Sequence, residues 1–362
     1  MSREDLDRRV LEWIGEGAAA PPDDERFDRL ARDLFAYQYA HNLPYRKLCE
    51  LAGRGPDEVS HWREIPAAPT GAFKEARLAT FPPEREVRAF RTSGSTTQRR
   101  GLSSLDTLDL YEASSLASFG AFVCPDLERT RFAVLAPDAT AAPDSSLSHM
   151  FEVAVREFGN THSHFFVGAQ GWDPDALIRD LESTREPVAV VGTAFAFVHL
   201  IDRLEERSEV LELPPGSRAM ETGGFKGRSR ELSRDELHDA ISLQLGVGRE
   251  RIVNQYGMCE LASQYYEPTL RTGVPTRAKQ APPWLRTRVV DPETLEELSA
   301  GASGMLVHYD LANTGSVLAV QTSDLGRLGP EGLEVLGRLE GAEARGCSIA
   351  ADALLAGTNP GA

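Results

Sequence analysis

The sequence predicts an α/β fold in which helices cover a parallel sheet, followed by a small C-terminal β subdomain. Between residues 132 and 256, apolar runs of strand length alternate with amphipathic stretches of helix length, a pattern typical of parallel strands joined by crossover helices. Beyond Pro282 the helical spacing ends, and short strands separated by Gly, Asn and Asp turns replace it. The chain of 362 residues also exceeds the roughly 250–300 residues at which single hydrophobic cores divide, which favours one large domain with a smaller neighbour.

The N-terminal region, residues 1–85, is predicted to be helical. Apolar residues recur at helical spacing from Leu6 to Ile14 and again from Phe27 to Phe35. A Pro- and Asp-rich turn at residues 21–24 separates the two apolar faces. We therefore expect amphipathic helices on both sides of this turn.

The central region, residues 86–285, is predicted to form the α/β core, and residues 286–362 the β subdomain and C-terminal tail. Buried strands of the core are predicted at residues 132–136, 165–168, 188–192, 219–222 and 252–256, with helices at 175–181, 195–204 and 234–245. Strands of the subdomain are predicted at 287–290, 305–309, 317–322 and 333–336.

Charge and cysteine usage narrow the functional classes. The 55 acidic and 39 basic residues give a formal charge of -16 at pH 7, which repels nucleic acid and anionic membrane surfaces. The longest apolar run, Val188 to Ile201, is shorter than the ~20 residues of a membrane-spanning helix. The four cysteines are widely separated and show neither a disulfide framework nor zinc-ligand spacing. We therefore expect a cytoplasmic protein with no nucleic-acid partner and no membrane span.

A hydroxyl- and glycine-rich segment, residues 92–97, is a candidate ligand-binding loop with arginines at its exit. Converging backbone N–H groups, hydroxyls and arginines suit the oxyanions of a polyphosphate. The segment matches neither the Gly-x-x-x-x-Gly-Lys-Ser/Thr loop nor the Gly-x-Gly-x-x-Gly turn, so neither a P-loop NTPase nor a Rossmann dinucleotide fold is supported. Taken alone, it is equally well explained as a solvated turn.

Residues that follow the predicted strands complete the candidate site, because ligands of α/β sheets bind at the carboxyl ends of the strands. Each of these residues alone has a structural explanation, as a turn former, a core aromatic or a first-turn acid of a helix. Their order along the chain is the informative feature. After the hydroxyl-rich segment come Gly223, Gly224 and Phe225, then Asn254, Tyr256, Gly257 and Glu260, then Asp324, and then Gly337 and Arg338.

This order resembles the motif series of the adenylate-forming ligases. Within that superfamily the sequence is most similar to the acyl-protein synthetases of the bacterial bioluminescence (LuxE) type, with the phenylacetate-CoA ligases more distant. The resemblance covers nearly the whole chain and rests on the segments 65–74, 90–96, 221–231 and 337–348. The run Glu-Thr-Gly-Gly-Phe-Lys-Gly-Arg-Ser-Arg-Glu at 221–231 is specific to this branch.

The resemblance implies a large adenylate-forming domain that binds ATP and Mg²⁺, with a role for each matching residue. The β- and γ-phosphates are assigned to Ser93, Gly94, Ser95, Thr96 and Thr97, and the adenine to Gly223, Gly224, Phe225, Asn254 and Tyr256. Thr92 and Gly257 are assigned to ATP binding. Glu260 is assigned to Mg²⁺, Asp324 to the ribose hydroxyls, and Arg338 to the ribose or α-phosphate. Carboxylates suit Mg²⁺ and ribose hydroxyls, and arginine suits a phosphate.

The implied reaction activates a carboxylic acid, fatty or aryl, as an acyl-adenylate with release of pyrophosphate. Cys347 resembles the position at which the luminescence-type synthetases accept the acyl group before passing it to a reductase or another acceptor protein. The neighbouring Arg345 would favour the thiolate of Cys347. Free cysteines are otherwise mostly small buried hydrophobes, and this alternative stays open for Cys347.

The sequence departs from the larger ligases, whose mobile C-terminal domain carries a catalytic lysine. No lysine follows Lys279, so we expect that this domain is missing. Lys226, Arg338 or a loop arginine would then supply the charge, unless adenylation is slow or uses a partner. Three functions remain open: a ligase that loads a protein thiol, a ligase that transfers the acyl group to CoA or an amine, and a non-catalytic relative that binds a nucleotide or a partner.

Overall fold

The structure is a computed structural model that describes residues 1–91, 100–168, 171–223 and 232–339. Its α-helices are α1 (Arg3–Gly15), α2 (Asp24–His41), α3 (Leu43–Leu51), α4 (Ala72–Glu75), α5 (Asp109–Phe122), α6 (Ser146–Phe158), α7 (Pro174–Ser183), α8 (Ala194–Arg207), α9 (Arg234–Leu245) and α10 (Thr269–Thr272). Its strands are β1 (Ala68–Pro69), β2 (Arg88–Arg91), β3 (Leu102–Leu105), β4 (Arg131–Pro137), β5 (His164–Gly168), β6 (Gly171–Trp172), β7 (Val188–Thr193), β8 (Arg218–Thr222), β9 (Ile252–Tyr256), β10 (Tyr265–Tyr266), β11 (Leu285–Val290), β12 (Ser303–Asp310), β13 (Ala319–Gly329) and β14 (Gly332–Arg338).

The chain divides into two compact units, each assembled from separate segments. The first unit comprises the described residues of 1–118, 257–265 and 278–339, and the second those of 119–256 and 266–277. The helical N-terminal region therefore shares a unit with the C-terminal strands. From the sequence we expect three continuous regions, 1–85, 86–285 and 286–362, and this division stays a prediction.

The second unit is built on a parallel sheet. Among the described residues, this sheet has seven strands in the order β10-β9-β8-β7-β4-β5-β6. The pairs β4–β5, β4–β7, β7–β8 and β8–β9 are parallel, and the two-residue β6 is antiparallel to β5. All residues of β7, β8 and β9 are buried, as expected of strands covered on both faces. The predicted α/β fold is confirmed.

Helices α8 and α9 show why the crossovers form where they do. In α8 the Thr193 side chain caps the start by accepting the Ala196 N–H. In α9 Ser233 and Glu236 form a capping box, and Gly246 ends the helix in the left-handed conformation with φ of 66°. The buried side chains of α8 pack with β4 and β7 into one apolar core, which holds these strands in place.

The first unit contains the N-terminal helices and a mixed sheet, in which β1 pairs with β13 in parallel and the pairs β11–β12, β12–β13 and β13–β14 are antiparallel. Its strands run in the order β1-β13-β12-β11, and β14 pairs with β13. Gln38 joins α2 to the connection between β12 and β13. Its Nε2 donates to Asn313 O at 2.8 Å and its Oε1 accepts from Leu318 N at 2.9 Å. No helix in the described part of the chain has the length and apolar content needed to cross a membrane.

Candidate functional site

Strands β8 and β9 bring two predicted site segments to the same edge of the second unit's sheet. They pair in parallel, with Glu221 opposite Asn254 and Thr222 opposite Gln255. Directly after β8, Gly223 has φ of 89°, in the left-handed region that favours glycine. The backbone therefore turns at Gly223, one of the residues that the resemblance assigns to the adenine.

A buried carboxylate on β8 holds the Asn254 side chain. Oε1 of Glu221 accepts a hydrogen bond from Asn254 Nδ2 at 2.6 Å and lies 3.1 Å from His238 Nε2 on α9. Burial opposes ionisation, but the bonds from His238 and Asn254 and the charge of Arg234 outweigh it, so the pKa of Glu221 is lowered from its usual 4.5. Because the amide donates to a carboxylate, its Oδ1 is oriented as the acceptor end.

A second buried carboxylate holds the Asn254 backbone. The N–H of Asn254 donates to Glu267 Oε2 at 3.0 Å, and the N–H of Glu267 donates to Asn254 O at 3.1 Å. Arg234 Nη1 lies 3.7 Å from Glu267 Oε1. Tyr256 ends the same strand and is buried. Asn254 is therefore fixed through both its main chain and its side chain.

Glu260, assigned to Mg²⁺ by the resemblance, belongs to the first unit. It lies in the segment 257–264 between β9 and β10, which contains neither helix nor strand. The Glu260 residue is buried, and its carbonyl oxygen accepts a hydrogen bond from Asn313 Nδ2 at 2.7 Å. Gly257 is half-buried at the start of this segment.

Asp324 and Arg338 are brought together by the pairing of β13 and β14, where they are register partners. Nε of Arg338 donates to Asp324 Oδ1 at 2.9 Å, and the Asp324 side chain is only 1% exposed. The Asp324 N–H donates to Thr322 Oγ1 at 3.0 Å. These two residues, fourteen apart in sequence, are both assigned by the resemblance to the ribose end of the nucleotide.

The three described cysteines are buried and unoxidised. Burial raises the pKa of Cys49 and of Cys124 to about 12, so neither thiol is ionised at neutral pH. The Cys259 thiol donates to Arg91 O at 2.8 Å, as expected of a packing residue. None of these three environments favours a nucleophilic thiolate.

The other predicted site residues lie outside the described ranges, so their roles stay predictions. These residues are Thr92, Ser93, Gly94, Ser95, Thr96, Thr97, Gly224, Phe225, Lys226 and Cys347. Strands β2 and β3, which come before and after the hydroxyl-rich segment in the chain, pair antiparallel.

The described side chains fit a magnesium ion that arrives with a nucleotide. No group of three or more His, Cys, Asp or Glu side chains that could hold a metal ion occurs within the described ranges. Mg²⁺ in nucleotide sites is commonly held by one or two carboxylates together with substrate phosphates, and Glu260 is the carboxylate that the resemblance assigns to this role. The Oδ1 of Asn254 and the Asp324 carboxylate are acceptors that suit an adenine amino group and ribose hydroxyls.

Sequence reasoning assigned no role to Glu221, His238 or Asp310, although each contacts a candidate site segment. The sequence carried a weak indication of the two carboxylates. Glu221 stands in the fully buried strand β8, and Asp310 is the buried last residue of β12, so each carboxylate needed a partner inside the fold. The partners themselves lie 17 to 48 residues away, and no local pattern indicates them.

Comparison with known proteins agrees with the sequence motifs. A model of the acyl-protein synthetase (LuxE) family matches residues 22–355. The long-chain-fatty-acid–luciferin-component ligase of Vibrio harveyi is 22% identical over 348 residues, which is 92% of this chain and 89% of the relative. The ligase of the same name from Aliivibrio fischeri is 23% identical over 308 residues, which is 83% of this chain and 78% of that relative.

Solved structures show the same fold. An open conformation of 2-hydroxyisobutyryl-CoA ligase, in complex with 2-HIB-AMP and CoA, superimposes with a TM-score of 0.62 at 16% identity, over 90% of this chain and 77% of that chain. The post-adenylation state of that ligase, in complex with R3-HIB-AMP, gives a TM-score of 0.64 over 90% of this chain and 69% of that chain. At this identity the likeness concerns the fold, which is that of the adenylate-forming ligases. With the family model spanning nearly the whole sequence, the chain belongs to the acyl-protein synthetase (LuxE) family.

Proposed function

We propose that the protein activates a carboxylic acid with ATP and loads the acyl group onto Cys347 as a thioester, for transfer to an acceptor protein such as an acyl reductase. The observation that carries the proposal is the family match over residues 22–355. The names of both curated relatives specify a long-chain fatty acid, which supports a fatty acid over an aryl acid as the substrate. A cytoplasmic location is part of the same proposal.

In the first step an oxygen of the substrate carboxylate attacks the α-phosphorus of ATP. A new P–O bond forms, the bond to the β-phosphate oxygen breaks, and pyrophosphate leaves with the electron pair. Catalysis of such a displacement depends on positioning and charge neutralisation. We assign the neutralising charges to Arg338, Lys226 and the arginines that follow the hydroxyl-rich segment.

Nucleotide recognition is assigned to residues of both units separately. In the second unit, Asn254 would accept from the adenine amino group through Oδ1, and Tyr256 would stack on the ring. In the first unit, Asp324 would accept from the ribose hydroxyls while Arg338 Nε donates to its Oδ1. Glu260 would bind Mg²⁺, which when present neutralises phosphate charge.

In the second step the Cys347 thiolate attacks the acyl carbon of the mixed anhydride. A C–S bond forms, the C–O bond to the phosphate breaks, and AMP leaves. The raised pKa of Cys49 and of Cys124 supports this choice, since a thiol with a pKa of about 12 has almost no thiolate at neutral pH. The acyl group would then pass from the Cys347 thioester to the acceptor protein.

ATP–pyrophosphate exchange with the full chain, Mg²⁺ and a panel of fatty and aryl acids tests the activation step. We expect exchange with at least one long-chain fatty acid. Absence of exchange with every acid would overturn the proposal.

Transfer is tested with a radiolabelled acid that supports exchange. The wild-type chain should retain label after denaturation, Cys347→Ala should lose the label while keeping exchange, and Cys124→Ala is the matched control that keeps both. Label retained by Cys347→Ala would refute the acceptor assignment. An acyl-CoA product on addition of CoA would instead favour the CoA-ligase alternative.

A further inference from the structure

The segment 257–264, which carries Glu260, is unusual because it is irregular and yet almost entirely buried. Every residue from Met258 to Gln264 is buried, although none belongs to a helix or a strand. Buried backbone N–H and C=O groups need partners, and irregular segments normally find them in water at the surface. Two hydrogen bonds lie within the segment, from Leu261 N to Met258 O at 3.2 Å and from Gln264 Nε2 to Ala262 O at 3.3 Å, and further partners come from elsewhere in the protein.

One side chain accepts from two backbone N–H groups of this segment and from one of its hydroxyls. Asp310, the last residue of β12, accepts from Ala262 N at 2.9 Å and from Ser263 N at 2.8 Å through Oδ2. Its Oδ1 accepts from Ser263 Oγ at 2.7 Å and from Ala312 N at 3.0 Å. Four donors thus converge on a carboxylate with no exposed surface. Only a carboxylate has enough acceptor sites to satisfy all of them at once.

The turn that follows Asp310 holds the segment at a second point. Nδ2 of Asn313 donates to Glu260 O at 2.7 Å, and Asn313 N donates to Asp310 O at 3.2 Å. Asn313 and Asp310 therefore hold the backbone at Glu260 itself and at the residues two and three positions downstream of it. Ser263 is also held from outside this turn, because Trp284 Nε1 donates to its Oγ at 3.0 Å.

We propose that Asp310 is a positioning residue that holds the Glu260 segment in place for Mg²⁺ and nucleotide binding, with Asn313 as its second anchor. The inference rests on the proposed function through Glu260, but its geometric basis lies wholly in the first unit. Asp310 accepts from the backbone N–H groups of Ala262 and Ser263, two and three residues after Glu260. Residues that orient a metal ligand from behind typically alter metal affinity by about 10- to 100-fold when removed.

The test compares Asp310→Ala and Asp310→Asn with a matched control, Asp291→Ala. Asp291 also accepts two backbone N–H groups of a turn in the same unit, from Glu293 and Thr294 at 2.9 Å each, but this turn is exposed and remote from Glu260 in sequence. Two quantities are measured on the full-length chain: amide hydrogen exchange across residues 257–264, and the Mg²⁺ concentration at half-maximal ATP–pyrophosphate exchange.

We expect faster amide exchange in this segment and at least a ~10-fold higher Mg²⁺ requirement for Asp310→Ala. Asp310→Asn should be intermediate, because its single carbonyl oxygen accepts fewer of the four donors. The control should match the wild type in both measurements. A wild-type Mg²⁺ requirement in folded Asp310→Ala would overturn the proposal.

If Asp310→Ala does not fold, Asn313→Ala replaces it, since that change removes the direct bond to Glu260 O, and the same rise in Mg²⁺ requirement is expected. A wild-type requirement in Asn313→Ala would then overturn the proposal. Failure of the proposed function is separable: it appears as no exchange of pyrophosphate by the wild type, while amide exchange still reports whether Asp310 holds the segment.

Discussion

Glu221 offers the sharpest test of how the second unit positions Asn254. The change Glu221→Gln keeps the size of the side chain but removes its charge. Two interactions are affected, the bond from Asn254 Nδ2 at 2.6 Å and the contact with His238 Nε2 at 3.1 Å. The new amide also places two N–H donors in a pocket whose neighbouring groups, Asn254 Nδ2 and His238 Nε2, are themselves donors.

The expected loss of stability follows from these two contacts. A hydrogen bond to a charged group contributes about 1.5–3 kcal/mol and a neutral one about 0.5–1.5 kcal/mol. Neutralising Glu221 therefore weakens each bond by about 1 kcal/mol, and a buried donor without an acceptor costs about 1 kcal/mol more. We expect the free energy of unfolding to fall by about 2–3 kcal/mol at neutral pH.

Urea denaturation measures this difference, with Glu182→Gln as the control. Glu182 lies exposed on α7, so its substitution should stay within about 0.5 kcal/mol of the wild type. The pKa of Glu221 is lowered, so its contribution is present above the usual 4.5 and is lost as the pH falls through the lower folded value. The wild-type advantage should therefore persist from neutral pH to about pH 5 and shrink below it. A loss no larger than that of Glu182→Gln, or a wild-type advantage that does not shrink below about pH 5, would refute the reasoning.

Three further predictions concern the other buried groups. Burial raises the pKa of Asp310 from 3.8 to about 6. Its contribution to stability is therefore present at low pH and falls as the pH rises through that value. In urea titrations, the free energy of unfolding of the wild type relative to Asp310→Asn should drop by up to about 3 kcal/mol between about pH 4 and about pH 7. Gly223→Ala should cost about 1–2 kcal/mol by the same measurement because of its positive φ, whereas Gly329→Ala, at a position with open space, should cost less; equal costs would contradict this explanation. Arg338→Ala should destabilise by about 3 kcal/mol, because it removes the cation beside buried Asp324, and calorimetry should show weaker ATP binding; unchanged stability and binding would refute the role of this pair.

Most strands and crossover helices of the second unit could be predicted closely from the sequence, although α6 at Ser146–Phe158 was not predicted. The predicted strand at 188–192 is β7 at Val188–Thr193, and the predicted helix at 234–245 is α9 with the same bounds. These elements carry a clear local signal, since a run of apolar residues indicates a buried strand and a repeat of three to four residues an amphipathic helix. Helix α5 was missed because its residues are mostly apolar or small on every side, which leaves little helical periodicity to detect.

The candidate site could be predicted only as a series of residues along the chain. Asn254, Asp324 and Arg338 were named from their motifs, and the structure adds that Arg338 pairs with Asp324 and that Asn254 is held by Glu221. The pairing depends on the register of β13 with β14, and the second contact on that of β8 with β9. Register is set by the packing of whole strands, so motif spacing could not supply either contact.

The sequence by itself determined the family and the order of most helices and strands, and it predicted the residues for adenylate formation, because motifs and hydrophobic periodicity are local properties of the chain. Only the tertiary structure decided which buried polar groups support them. Glu221 is hydrogen-bonded to His238 and Asn254, which are 17 and 33 residues away in sequence, and Asp310 accepts from Ala262, 48 residues away. The physical reason is that a buried carboxylate must be satisfied by whatever donors the fold brings within about 3 Å, and that distance is set by packing rather than by position in the sequence.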